Sequence, residues 1–303
     1  MATTALIGIS ESADAEAFDS SWWFEPFGLD QPTVAKTILP TAVAKGDIAV
    51  GCAANRTMIP FTLPADEPKG ILITYPGARC GLAALVIDQG GKKALTAAWP
   101  FTTDGVEHEV RIERVMMAPD RLQAVIEGTI DDMLPLTWLD VLFPVDRAFY
   151  AEGSVHSVVL AGIAHRFSIG AMPHVRITPD APSYAALRDE SPMAVDDDGA
   201  ITIRTEGMAA IFPVKDAAPT LYSIQGPVTR IEKYTGQLFG RDVWDVRVTV
   251  ARIGDENDKA VDLSVLVSDI VLDGGPLPQI GDDISTTIRL QGRIWWPNVK
   301  FGT

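Results

Sequence analysis

The chain has 303 residues, 47% of them hydrophobic, enough apolar surface for packed cores in two or three units, which excludes a disordered default. Forty acidic against 25 basic side chains leave a net charge of -15. That charge opposes phosphate backbones and anionic membranes, and it excludes a general nucleic-acid binder while leaving room for a local basic groove. Cys52 and Cys80 are too few for a disulfide framework and lack the close spacing of a zinc or redox pair.

The opening MATTALIGIS has no positive n-region, and no run reaches the roughly 18 apolar residues that span a bilayer, so a soluble cytoplasmic protein without membrane contact is expected. Residues 1–45 combine an acidic start with SWWFEPFGL and short apolar runs without a 3.6 period; they predict an irregular N-terminal arm packed on the body. From Asp47 onward, short runs bounded by Gly and Pro predict a β-rich domain over 46–170. Its early strands are DIAVGCA, MIPFTLP and KGILITYPG, followed by GLAALVID and KKALTAAWPF joined as a hairpin across Gln89-Gly90-Gly91. Gly-Gly supplies the positive φ angles of tight hairpin turns. GLAALVID also reads as a short helix, because Ala and Leu favour one.

Residues 106–169 and 225–296 share ordered words. Arg111-Ile112-Glu113-Arg114 returns as Arg230-Ile231-Glu232-Lys233, Leu139-Asp140-Val141-Leu142 as Leu263-Ser264-Val265-Leu266, and Leu160-Ala161-Gly162 as Leu290-Gln291-Gly292. The offsets of 119, 124 and 130 keep their order and grow, as loop-length variation between two diverged copies would make them. In the second copy, over 221–303, IQGPVTRIEKY, WDVRVTVARIG, VDLSVLVSDIVL and DDISTTIRLQGRIWW predict four strands with one face in and one out.

With its Gly226-bearing first strand and Gly292 in the closing strand, this copy resembles an OB-fold, a partly open five-stranded barrel; four strands are legible and the fifth is not. The resemblance is to a superfold and implies no single activity. The expected fold is therefore mainly β, with two diverged small antiparallel OB-like barrels, an N-terminal β-rich region and little helix. Residues 171–220, rich in Pro and Asp, read as a linker, an insertion or a small subdomain, with PSYAALRDE as a short helix and AITIRTEG as a strand entered from the turn Asp196-Asp197-Asp198-Gly199.

Chemistry is sparsely signalled. His156, His165 and His174 are nine residues apart and form no metal-ligand pair, and Asp196–Gly199 lacks the alternate spacing of a calcium loop, so no metal and no cofactor are expected. Asp88–Lys93 and Pro76–Gly81 lack the full spacing of phosphate-binding loops, and no G-x-S-x-G elbow occurs. Glu107-His108-Glu109 sets two carboxylates on one strand face, which suits a solvated edge better than a catalytic pair.

Aromatic pairs are more informative. Trp22, Trp23 and Phe24 adjoin, as do Trp295 and Trp296, and adjacent strand residues face opposite ways. Residues 221–303 carry net -2 against net -6 over 101–170, which makes the second copy the better ligand binder. Arg289 and Arg293 share a strand face leading to Trp295 and Trp296, with Arg247 on a neighbouring strand. The expected contact residues are Arg247, Arg289, Arg293, Trp295, Trp296, Trp22 and Trp23. The leading functional expectation is a non-enzymatic interaction protein, an accessory or inhibitor, whose β-domains engage a protein partner with a basic surface. The alternatives are single-stranded oligonucleotide binding by the second copy and a hydrolase with dispersed carboxylates.

Overall fold

In the computed structural model, the described residues are 9–11, 23–48, 61–62, 69–76, 79–89, 92–118, 123–147, 149–170, 174–180, 184, 195–234, 238–254 and 259–295. Period-2 patterning decides most of them. In VWDVRVTVARI, Val246, Val248 and Val250 are wholly buried while Asp245 and Arg247 face the other way, so the segment is a strand with one dry face. The early strands are β1 (Ile9–Glu11), β2 (Asp47–Ile48), β3 (Phe61–Thr62), β4 (Lys69–Pro76), β5 (Cys80–Gln89) and β6 (Lys92–Thr102). Next come β7 (Val106–Met117), β8 (Ala124–Ile130), β9 (Leu134–Asp140), β10 (Val155–Ile169), β11 (Val175–Ile177), β12 (Ile201–Ile203) and β13 (Ala210–Pro213). The last are β14 (Leu221–Lys233), β15 (Val243–Ile253), β16 (Lys259–Ser268) and β17 (Asp283–Ile294). The chain is mainly β, and helix is confined to short segments.

One large sheet runs in the order β1-β7-β8-β9-β17-β10-β16-β15-β14-β13, with added pairings β7–β10 and β17–β14. Those two pairings close two hydrogen-bonded circuits: β7-β8-β9-β17-β10 and back to β7, and β14-β15-β16-β10-β17 and back to β14. Both circuits contain the antiparallel pair β10–β17, and each enters it by one parallel pairing, β9 with β17 and β16 with β10. The strand that completes β14 to β17 thus comes from 155–169.

The shared pair is set by small residues opposite large ones. Leu160 faces Gly292 and Leu290 faces Gly162 across the ladder. A Cβ on Gly162 would lie 2.6 Å from Ile288 Cδ1, and one on Gly292 would lie 2.5 Å from Trp138 Cδ1, so each glycine makes room for a large core side chain. One continuous core holds Trp138, Leu160, Val246, Leu263, Ile288 and Leu290.

A second sheet, β2-β4-β5-β6 with β3 also on β4, packs on the outside of this body. Leu82, Leu85, Trp99 and Phe101 meet Val125, Leu139 and Leu142 from the β8–β9 region. GLAALVID is a central strand here, so the helix reading is corrected: hydrogen bonds to both β4 and β6 outweigh Ala and Leu propensity. Residues 31–45, expected to be irregular, are helical, through Gln31–Thr33, Val34–Ile38 and Leu39–Lys45. Asp30 caps the first turn, its carboxylate accepting the Thr33 N–H at 2.8 Å, and Pro32 suits that turn. Only Val34 and Ala42 are buried there, too narrow an apolar stripe to read from sequence.

Within 171–220, β11 and β12 form their own two-stranded ladder, and β13 extends the large sheet beside β14. The helix expected over 182–190 lies outside the described residues except Tyr184, whose hydroxyl donates to Gly199 O at 2.6 Å. Trp22, Trp296 and Cys52 also lie outside them. Among the described residues, no helix is long and apolar enough to cross a membrane.

Candidate functional site

A polar cleft of about 420 Å³ opens where the outer face of β14–β15 meets the second sheet and the end of β17. Its geometry starts with a bulge. The β14–β15 ladder shifts register between Val228 and Arg230, after which Arg230 lies opposite Arg247 and Glu232 opposite Asp245. Because Val246 and Val248 point into the core, Asp245 and Arg247 must point into the cleft, as must Arg230, Glu232 and Tyr234 on alternate positions along β14 and just past its end. The opposite wall carries Arg79, Asp104 and Glu107, and the floor near β17 carries Val159, Arg293 and Trp295.

Most of the charges are already matched. Arg79 grips Asp104 with two hydrogen bonds, 3.2 Å from Nε to Oδ1 and 2.6 Å from Nη2 to Oδ2. Those bonds raise the Arg79 pKa further. The Tyr234 hydroxyl donates to the same carboxylate at 2.9 Å and so ties β14 to the second sheet. Arg230 pairs with Glu232, whose acidity that hydrogen bond increases. Lys233 reaches Asp242 at 2.7 Å and lies 5.5 Å over the Trp244 ring. Asp245 accepts the Ser264 hydroxyl, yet burial holds its carboxyl above the ordinary range. Arg293 donates from Nε and Nη2 to Thr103 O at 3.1 and 2.9 Å. Arg247 differs: its Nε is buried and meets no acceptor among the described residues.

Cys80 and Tyr234 are held neutral. Burial, with Asp104 nearby, pushes the Cys80 thiol up, and burial raises the Tyr234 phenol too. No histidine lines the cleft. His108 Nε2 lies 2.9 Å from Asp262 O, His156 Nε2 2.9 Å from Ser154 Oγ, and His174 Nε2 3.2 Å from Glu206, so each has a separate local role. Of the Glu107/Glu109 pair, Glu107 alone lines the cleft. The Asp196–Gly199 turn is braced by Arg176, which pairs with Asp196 and Asp198. No group of three or more His, Cys, Asp or Glu among the described residues could hold a metal ion.

Of the contact residues expected from sequence, Arg247, Arg293 and Trp295 meet in this cleft, and Trp295 is exposed. Arg289 and Trp23 are elsewhere. Arg289 does lie on the same face of β17 as Arg293, but the second sheet and the N-terminal segment cover that face. The Arg289 guanidinium lies 4.6 Å over the buried Trp23 ring. Trp22 and Trp296 lie outside the described residues. Arg79, Asp104, Arg230, Glu232, Tyr234 and Asp245 were not anticipated. The alternating Arg230-x-Glu232-x-Tyr234 and Asp245-x-Arg247 beside Val246 and Val248 were the available signal, a charged strand face with a dry reverse.

A second groove of about 640 Å³ is lined by Pro26, Phe167, Leu221, Ile270 and Val271 with His165, whose pKa burial and Arg289 lower to about 3. It is the more apolar of the two and presents a neutral imidazole.

Comparison of the chain with protein-family models, with curated proteins and with solved structures finds no match.

Proposed function

We propose that this protein is a non-enzymatic interaction module that holds a protein partner in the cleft formed by β14–β15, the β17 end and the second sheet. One observation carries the reading. The cleft unites an exposed Trp295, a half-buried Arg247 and a rim of ion pairs, while its Tyr234 stays protonated and no histidine reaches it. An exposed aromatic in the same cleft as a half-buried arginine is the composition of an interface hot spot, whereas catalysis needs a nucleophile beside a base. The net charge of -15 makes a partner with a largely basic surface the better complement and suits an accessory or inhibitor role in the cytoplasm.

The scaffold we infer is a pair of OB-like barrels that arose by internal duplication and share β10 and β17. Support comes from the two circuits with matching strand order, from the crossed Leu160–Gly292 and Leu290–Gly162 pairings, and from the ion pairs Arg111–Glu113 and Arg230–Glu232 within the same repeated word.

The test is affinity capture from the native host with the full chain and with Trp295→Ala and Arg247→Glu variants. A partner retained by the wild type and lost from both variants is expected; equal capture by all three would refute the assignment. The oligonucleotide reading keeps Trp295, Arg247 and Arg293 but loses Arg289 to Trp23. Salt-sensitive quenching of tryptophan fluorescence by single-stranded DNA would favour it instead.

A further inference from the structure

We infer that the contact surface continues from Trp295 across β10 to Glu107 and Glu109 on β7, and that it receives a segment of the partner with Lys or Arg at alternate positions. This rests on Trp295 belonging to the contact surface.

The strand register brings these residues together. Val159 on β10 lies opposite Glu107 of β7 on one side and Arg293 of β17 on the other. One row along, Ser157 lies opposite Glu109, and the Ser157 carbonyl accepts the Trp295 N–H at 2.8 Å. Residues opposite one another on neighbouring strands share a face. The reverse face is dry, with Val110, Val158, Leu160 and Ile294 in the core, so Glu107, Glu109, Ser157 and Trp295 point outward. Val155, two residues before Ser157, is on the same outward face and 54% exposed. Trp295, Val155 and Val159 thus make an apolar strip, with Glu107 and Glu109 along its β7 side.

The sign of the partner follows from which charges are already engaged. Cations and acids nearly balance over the cleft as a whole, so its summed field selects neither. The cations are each met: Arg79 by Asp104, Arg230 by Glu232, Lys233 by Asp242 and Arg293 by Thr103 O, while Glu232 and Asp245 act on Arg247. Glu107 and Glu109 differ. Both are exposed, and neither has a hydrogen bond or ion pair among the described residues. Glu107 contributes to the field on buried Arg293 after Asp146, Asp104 and Asp140. Alternate residues of a strand project from one face roughly 7 Å apart, so the two carboxylates match cations at alternate positions of an extended segment. Lys and Arg stems are apolar and pack on a strip of this kind while their heads reach the acids, and Arg also stacks on an indole.

The experiment is a titration of the full chain with a blocked Arg-Leu-Arg peptide and its Gln-Leu-Gln counterpart at fixed ionic strength, read on the Trp295 indole N–H in ¹H–¹⁵N spectra. That resonance is assigned by its loss in Trp295→Phe. A saturable shift with the Arg peptide is expected. Binding should be about tenfold weaker with the Gln peptide, and about tenfold weaker in Glu107→Gln/Glu109→Gln, the scale of two surface ion pairs together. The control is Asp216→Asn/Asp273→Asn, which removes the same charge at two exposed positions outside the cleft lining, where the left-handed backbone suits Asn as well as Asp. It should bind as the wild type does. An indole unmoved by the Arg peptide overturns the inference, and so does equal weakening in both double variants, which would mean attraction to net charge alone. If partner capture still depends on Trp295 in either case, only the basic-segment assignment fails; if capture is also indifferent to Trp295, the interaction reading fails with it.

Discussion

At the residue scale, Gly292 and Asp140 each make a demand that a single substitution tests. Gly292 sits under Trp138 and Leu160, both wholly buried, and an added Cβ would lie 2.5 and 2.8 Å from their nearest side-chain carbons. Gly292→Ala is expected to cost about 1–3 kcal/mol by overpacking, read as a lower urea midpoint at unchanged slope. Asp140 is buried, accepting the Tyr150 hydroxyl at 2.7 Å and the Leu142 N–H at 2.8 Å, while Asp146 accepts the Ile294 N–H at 3.0 Å. Burial first, then Asp146, raises the Asp140 pKa well above its ordinary 3.8. The folded state therefore keeps a proton that the unfolded chain releases. Its contribution to stability is complete below pH 3.8 and is lost as pH rises through the raised value. Asp140→Asn should flatten that decline above pH 4, so urea stability of wild type and variant measured from pH 4 to 7 should show a steeper fall in the wild type; parallel curves would refute the assignment.

At the element scale, the N-terminal segment is a structural strap rather than a contact arm. Trp23 is buried against Arg289, and Phe24 and Phe27 meet Phe239 edge-on at centroid distances of 6.5 and 5.5 Å. The aromatic run was legible in sequence, but which tryptophan is inside was not, because that depends on what β17 presents. Trp23→Ala should cost about 3–5 kcal/mol by thermal or urea unfolding. Paired with Arg289→Met in a double-mutant cycle, it should show a coupling of about 0.5–2 kcal/mol, and additivity would remove the cation–π contact from the account. The same covering explains why Arg289 was misplaced in a ligand face. Position i and i+4 put Arg289 and Arg293 on one side of the strand, but only the surrounding segments determine that both are buried, Arg289 under Trp23 and Arg293 against Thr103 at the edge of the cleft.

At the scale of the whole molecule, the shared β10–β17 pair ties the two circuits into one unit. A single unfolding transition, coincident by far-UV circular dichroism and tryptophan fluorescence, is expected across the large sheet. A fragment of residues 101–220 lacks β17, so β9 keeps only β8 and β10 only β7, the circuit stays open, and the fragment should show no dispersed amide spectrum. Two separated transitions, or a folded fragment, would show the halves to be autonomous.

The strands, their faces and the ordered words were available from sequence, because period-2 burial is a local property: each Val or Ile either faces the core or does not. Arg293 and Trp295 were near one another by sequence alone, whereas Arg247 reaches the same cleft from β15, which is not a neighbour of β17. One further clue was present in VVLAGIA, residues 158–164, an unbroken apolar run of the kind a strand buried on both faces carries. Tertiary structure alone decided that β10 completes the second circuit, that the second sheet and the N-terminal segment cover the outer face of β17, and that Arg247 lines the cleft. Those outcomes depend on which surfaces meet across more than a hundred residues of chain, and no local period encodes that.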